Sequence, residues 1–161
     1  PRFLTHLLPH LFVVVPGGAA ACGGGYVNSP FVPVAVHETG LALGGHDPVA
    51  YFTQGRPVVG SPEHQALRGS VTYRFASLAN LQTFQREPDR HAPRYGGFCA
   101  YGMSLGKKFP SDPRAWRIVE GRLYLNKDFD VQATWLKDLT ENIASADGHW
   151  PRVERVPAEE L

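Results

Sequence analysis

Apolar and polar positions alternate most clearly at two places in this chain, and each predicts a hairpin. Val71, Tyr73 and Phe75 alternate with Thr72 and Arg74, a half-buried strand entered from residues 65–67 through Arg68-Gly69-Ser70. Trp116 and Ile118 alternate with Arg117 and Val119; Glu120-Gly121 makes the turn, and Leu123 and Leu125 return. The unbroken run at residues 49–52 reads as a short buried strand, and residues 31–36, beside Pro30 and Pro33, as an edge strand. Two segments carry helical spacing. Ser77 caps one that presents Leu78, Leu81 and Phe84 and stops at Pro88. The longer one starts near Asp128 and aligns Val131, Trp135, Leu136, Leu139 and Ile143, with Gly148 as its C-terminal residue. The pattern predicts an α+β fold: a small antiparallel sheet with hairpins and two main helices.

Composition narrows the picture without redirecting it. The 161 residues suit one domain, and 43% hydrophobic with 19% charged content is that of a packed protein. A net charge of +1 gives no global field for nucleic acid, so none is expected as a partner. The basic groups Lys107-Lys108 and Arg114/Arg117/Arg122 read as solvated faces. Gly (17) and Pro (14) fall between the periodic segments, which implies many tight turns.

The first residues have a separate logic. Arg2, the apolar positions 7–8 and 11–15, and the small run Ala19-Ala20-Ala21-Cys22 follow the order of an export signal. The apolar run is about half the ~20 residues a membrane-spanning helix requires. Residues 1–25 are therefore assigned as signal-like, 26–40 as connector, 41–150 as the domain and 151–161 as a loose tail. Cys22, followed by three glycines, resembles a lipoprotein site, although Ala19 stands where such sites usually carry Leu. Three readings stay open for Cys22: lipidation, removal by cleavage near Ala21, or retention, in which a Cys22–Cys99 disulfide is one outcome. The expected location is exported, either periplasmic or held at a membrane by that lipid alone.

Several separated motifs then point one way. They are Gly44-Gly45-His46-Asp47-Pro48-Val49-Ala50-Tyr51-Phe52, Tyr73-Arg74-Phe75-Ala76-Ser77, Phe84 with Pro88, and Ala92-Pro93-Arg94-Tyr95-Gly96-Gly97-Phe98-Cys99-Ala100-Tyr101. Leu123-Tyr124-Leu125-Asn126, Asn142-Ile143-Ala144 and Trp150-Pro151 complete the set. In this order they resemble the exported branch of the YHS-domain family. Family members attached to heavy-metal transporters look like metal-binding modules with three Cys positions. Aligned on Phe84 and Pro88, those positions fall on Ala50, Ala76 and Asn80, and a terminal Tyr falls on His91. All three thiols are absent here, and neither a methyl group nor a neutral amide replaces a thiolate as a soft-metal donor. The resemblance implies that the three positions converge on one spot.

The remaining candidate chemistry centres on Cys99. Gly96-Gly97 gives residues 95–101 unusual backbone freedom, and packing of this segment on residues 46–51 is expected to form a ligand pocket. Its lining is His46, Asp47, Tyr51, Tyr95, Cys99 and Tyr101, with a partly accessible thiol and at least one inward tyrosine hydroxyl. Asp47, before Pro48, also suits a turn closed by its own side chain. A nucleophilic Cys99 needs a base; His46, His64 and His91 are the candidates, and their spacing places none of them beside it. There is no phosphate-cradling loop, serine elbow, zinc-type Cys pair or glycosidase-like acid pair. The expected function is a non-enzymatic module that binds a small ligand or a partner protein, without a firm cofactor. The alternative is a soft-metal, copper-like handling protein using Cys99, His46 and Met103.

Overall fold

The computed structural model describes residues 26–27, 36–37, 40–69 and 71–161. Cys22, the signal-like segment and most of the expected edge strand lie outside the described residues. Two short pieces before the main body, β1 (Tyr26–Val27) and β2 (Val36–His37), pair antiparallel.

The first core is built on a hairpin and one helix. Strand β3 (Ser61–Arg68) pairs antiparallel with β4 (Val71–Phe75), with Arg68 opposite Val71 and an irregularity between Ser61 and Gln65. Val71, Tyr73 and Phe75 point inward, as their alternation requires. Helix α2 (Leu78–Arg86) starts where Ser77 Oγ accepts from Asn80 N at 3.2 Å. It buries Phe84 against Tyr73 and Phe75, with ring centroids 4.9 and 5.1 Å apart. Pro88 is not merely a stop: it opens a further turn, α3 (Pro88–His91), in the first-turn position a proline tolerates. Residues 49–52 are not a strand. They belong to a short helix, α1 (Ala50–Thr53), because the Asp47 side chain bonds the amides at its start. A four-residue apolar run has no periodicity to separate the two cases.

The second region is a hairpin backed by helices. A short helix, α4 (Ala100–Ser104), precedes strand β5 (Asp112–Val119), which pairs with β6 (Arg122–Asn126), Trp116 opposite Leu125. Glu120 and Gly121 at the turn have φ of 49° and 71°, the left-handed pair that a two-residue turn of this hand demands. The two faces of β6 serve different clusters: Leu123 and Leu125 pack with Leu43 and Tyr51, while Tyr124 packs with Tyr95 and Trp135. The strands form separate two-stranded units instead of the single sheet expected. The α+β class stands.

The long C-terminal helix is interrupted. Asp128 Oδ1 accepts from Val131 N at 2.8 Å and starts α5 (Phe129–Lys137); the chain leaves helical geometry at Asp138 and resumes as α6 (Leu139–Val153). Asn142 Nδ2 donates to Trp135 O at 2.9 Å, satisfying a carbonyl freed by the break. Trp135 is fully buried, but Leu136, expected on the same face, is exposed. Helix α6 runs past Gly148 and through Pro151, since Ile143, Ala146, Trp150 and Val153 all pack on the second core. The tail is tied down as well. Lys108 Nζ donates to Glu154 O and Val156 O at 2.8 and 2.7 Å, and Lys107 Nζ donates to Leu161 O. Lys108 is therefore buried, not part of a solvated face; its ammonium lies 5.2 and 5.7 Å from the Phe98 and Trp150 ring centres. No helix among the described residues is long and apolar enough to cross a membrane.

Candidate functional site

Asp47 is the most heavily bonded side chain among the sequence-derived candidates, and it is fully buried. Its Oδ1 accepts from Val49 N at 2.8 Å and Ala50 N at 3.3 Å, the turn expected of Asp before Pro. Its Oδ2 reaches a different element, accepting from Ala76 N at 2.8 Å and Asn80 Nδ2 at 2.7 Å. Ala50, Ala76 and Asn80 are thus gathered around one carboxylate, the convergence expected of them. Four donors compensate the charge, so the group is satisfied where it stands.

Cys99 has a parallel position with weaker partners. Its sulfur accepts from Gly102 N at 3.4 Å, at the start of α4. The thiol donates to Asn126 Oδ1 at 3.7 Å, and the same oxygen accepts from Tyr101 N at 3.2 Å. Asn126 is itself fully buried, and its Nδ2 has no partner among the described residues. Sequence reasoning quoted Asn126 only as a family-like residue; its place beside Cys99 follows from the parallel bridge between Cys99 and Leu125. At 1% exposure the thiol is not accessible, which corrects the expectation of a reachable cysteine. Burial pushes its pKa up, partly opposed by nearby backbone amides, so the nucleophilic thiolate is disfavoured.

Two of the expected pocket residues, Tyr51 and Tyr95, are divided by β6. Tyr51 lies with Leu123 and Leu125, its hydroxyl donating to Pro113 O at 2.9 Å and its ring edge-on to Trp116. Tyr95 lies with Tyr124 on the opposite face, its hydroxyl donating to Asp147 Oδ1 at 2.9 Å. Period-2 alternation along β6 sends Leu123 and Leu125 one way and Tyr124 the other, so Tyr51 and Tyr95 lie on opposite faces of the strand. Tyr101 is half-buried at the margin of the second core.

The members of the soft-metal set have other neighbours. Met103 is fully buried with Tyr124 and Trp135. His46 Nδ1 donates to Leu43 O at 2.9 Å, and Leu43 belongs to the cluster on the other face of β6. That bond leaves the His46 Nε2 lone pair as the ring's acceptor. No group of three or more His, Cys, Asp or Glu side chains among the described residues is arranged to hold a metal ion. His91, one of the candidate bases, is buried beside Phe52 with Nδ1 on Glu87 O.

Comparison with protein-family models, with curated proteins and with solved structures finds no match to this chain.

Proposed function

We propose that this chain is an exported, non-enzymatic binding module of the YHS type, in which the buried Asp47 carboxylate ties together the three positions where relatives resembling it carry thiols. One observation carries the reading: the two oxygens of Asp47 bond Ala50 N, Ala76 N and the Asn80 side chain, the three positions that the family pattern gives to cysteine. A carboxylate whose lone pairs are taken by four N–H donors holds a fold together and has none free for a soft metal ion. Cys99, buried and with its thiol pKa raised, fits a structural part better than a catalytic one. The ligand is a small molecule or a partner protein, and the membrane is reached only through a lipid on Cys22.

Metal analysis of untagged protein tests this directly. The expected copper and zinc content is far below one equivalent, unchanged in Cys99→Ala. A variant carrying Ala50→Cys, Ala76→Cys and Asn80→Cys should gain tight soft-metal binding, because the three positions already meet. Stoichiometric copper in the unaltered protein, lost in Cys99→Ala, would replace this reading with a metal-handling role for Cys99, His46 and Met103.

A further inference from the structure

Four aromatic rings cross the second core in sequence. Trp150, Tyr95, Tyr124 and Trp135 lie in a row of tilted rings with successive centroid separations of 5.9, 5.8 and 5.5 Å. Trp150 is half-buried and Trp135 fully buried, so the row leads from the surface inward. Rings in such contact exchange an electron readily, and a hole placed on one visits the others. What distinguishes them is where a proton can go.

Only one ring of the four has a base in hand. The Tyr95 hydroxyl donates to Asp147 Oδ1 at 2.9 Å, and that side chain is 46% exposed, open to water behind the bond. Tyr124 has no hydrogen bond to a carboxylate among the described residues and lies near the Arg94 guanidinium, which also sits 5.3 Å from the Tyr95 ring centre. The Trp135 indole nitrogen has no partner among the described residues. Arg94 also pairs with Asp147, so the Tyr95 ring faces an ion pair and not a lone charge. The backbone supports the placement. Tyr95 has φ of 53°, a left-handed conformation that strains an aromatic residue and that glycine would adopt freely.

From this arrangement we infer that Tyr95 is a one-electron redox centre, the resting place of an oxidising hole that enters at Trp150. In the balanced step, a one-electron oxidant at the surface, such as a small oxygen-centred radical, accepts one electron from the ring row. The O–H bond of Tyr95 breaks, its proton passes to Asp147 Oδ1, and the products are a neutral tyrosyl radical and a protonated carboxyl. Asp147 then releases the proton to water, and an external one-electron reductant such as ascorbate, with a proton, restores the phenol. Burial above all, with the adjacent carboxylate, pushes the Tyr95 phenol well above its ordinary pKa, so proton and electron leave together. This centre is independent of the ligand-binding reading, since it uses none of the Asp47 residues.

Flash oxidation by a photogenerated ruthenium(III) polypyridyl complex, read by the tyrosyl absorption and electron paramagnetic resonance, is the test. The unaltered protein should give a tyrosyl radical whose formation slows in heavy water and does not depend on buffer concentration. Tyr95→Phe, which keeps the ring in the row, should lose most of that signal, while Tyr124→Phe keeps it. Asp147→Asn should slow the step and make it rise with buffer base, because the proton then has no internal acceptor. Should Tyr95→Phe fail to fold, the buffer dependence of Asp147→Asn decides alone. An undiminished radical in folded Tyr95→Phe, or an unaltered rate without buffer dependence in Asp147→Asn, overturns the proposal and leaves the rings as core.

Discussion

Asp47 and Cys99 perform the same local task with different atoms. Each is buried, and each starts a short helix by accepting backbone amides: Asp47 at α1, Cys99 at α4. Asp47 uses a charged oxygen at 2.8 Å, and its second oxygen spans to the start of α2. Cys99 uses a sulfur at 3.4 Å, a weak acceptor, with a long contact to one asparagine. Charge-assisted bonds contribute roughly 1.5–3 kcal/mol each, well above a thiol contact. Similar geometry therefore implies unequal dependence: the first centre should be indispensable and the second replaceable.

Removing Asp47 tests this most severely. Asp47→Ala orphans several buried N–H groups and should cost about 4 kcal/mol, read by urea denaturation. Asp47→Asn should recover little, since its amide turns one acceptor into a donor facing Ala76 N and the Asn80 amide, or the Val49 and Ala50 amides. Asn80→Ala removes one of the four bonds and should cost about 1–2 kcal/mol in the same measurement. Cys99→Ala should cost only about 1 kcal/mol, the price of a small void. A loss there as large as that at Asp47 would break the comparison. Thiol labelling sharpens it: Cys99 should react in the folded protein only as fast as the second core opens, and promptly in urea.

The smallest effect is a titration in the first core. Burial raises the Tyr73 phenol from 10.0 to about 12. Between those values the unfolded chain has lost the phenol proton that the folded chain keeps. Stability therefore falls as pH rises through that window. Tyr73→Phe should flatten the decline, measured as melting temperature against pH.

Local signals in the sequence were reliable where the physics is local. Ser77 and Asp128 cap helices through atoms three residues away, and Glu120-Gly121 closes its hairpin through its own dihedrals. Half of Asp47 was legible for the same reason, because Val49 N is two residues on. Its Ala76 partner was expected only through the resemblance. The backbone freedom of Gly96-Gly97 is local and does not say which face of β6 a side chain meets; the alternation of Leu123, Tyr124 and Leu125 decides that for Tyr51 and Tyr95. Lys108 was misplaced because the carbonyls that bury it lie 46 and 48 residues later. Gly148 carried a helix-ending signal, yet packing by Trp150 and Val153 extended α6 past it.

The order of synthesis gives the two cores different histories. Every member of the first, from Ala42 to Ala92, and every partner of Asp47 is synthesised before Tyr95. The second must hold Tyr95, Met103 and Tyr124 unsatisfied until Trp150 and Val153 arrive to cover them. A growing chain therefore carries a finished knot beside an open apolar face, and that face is the surface a chaperone would meet.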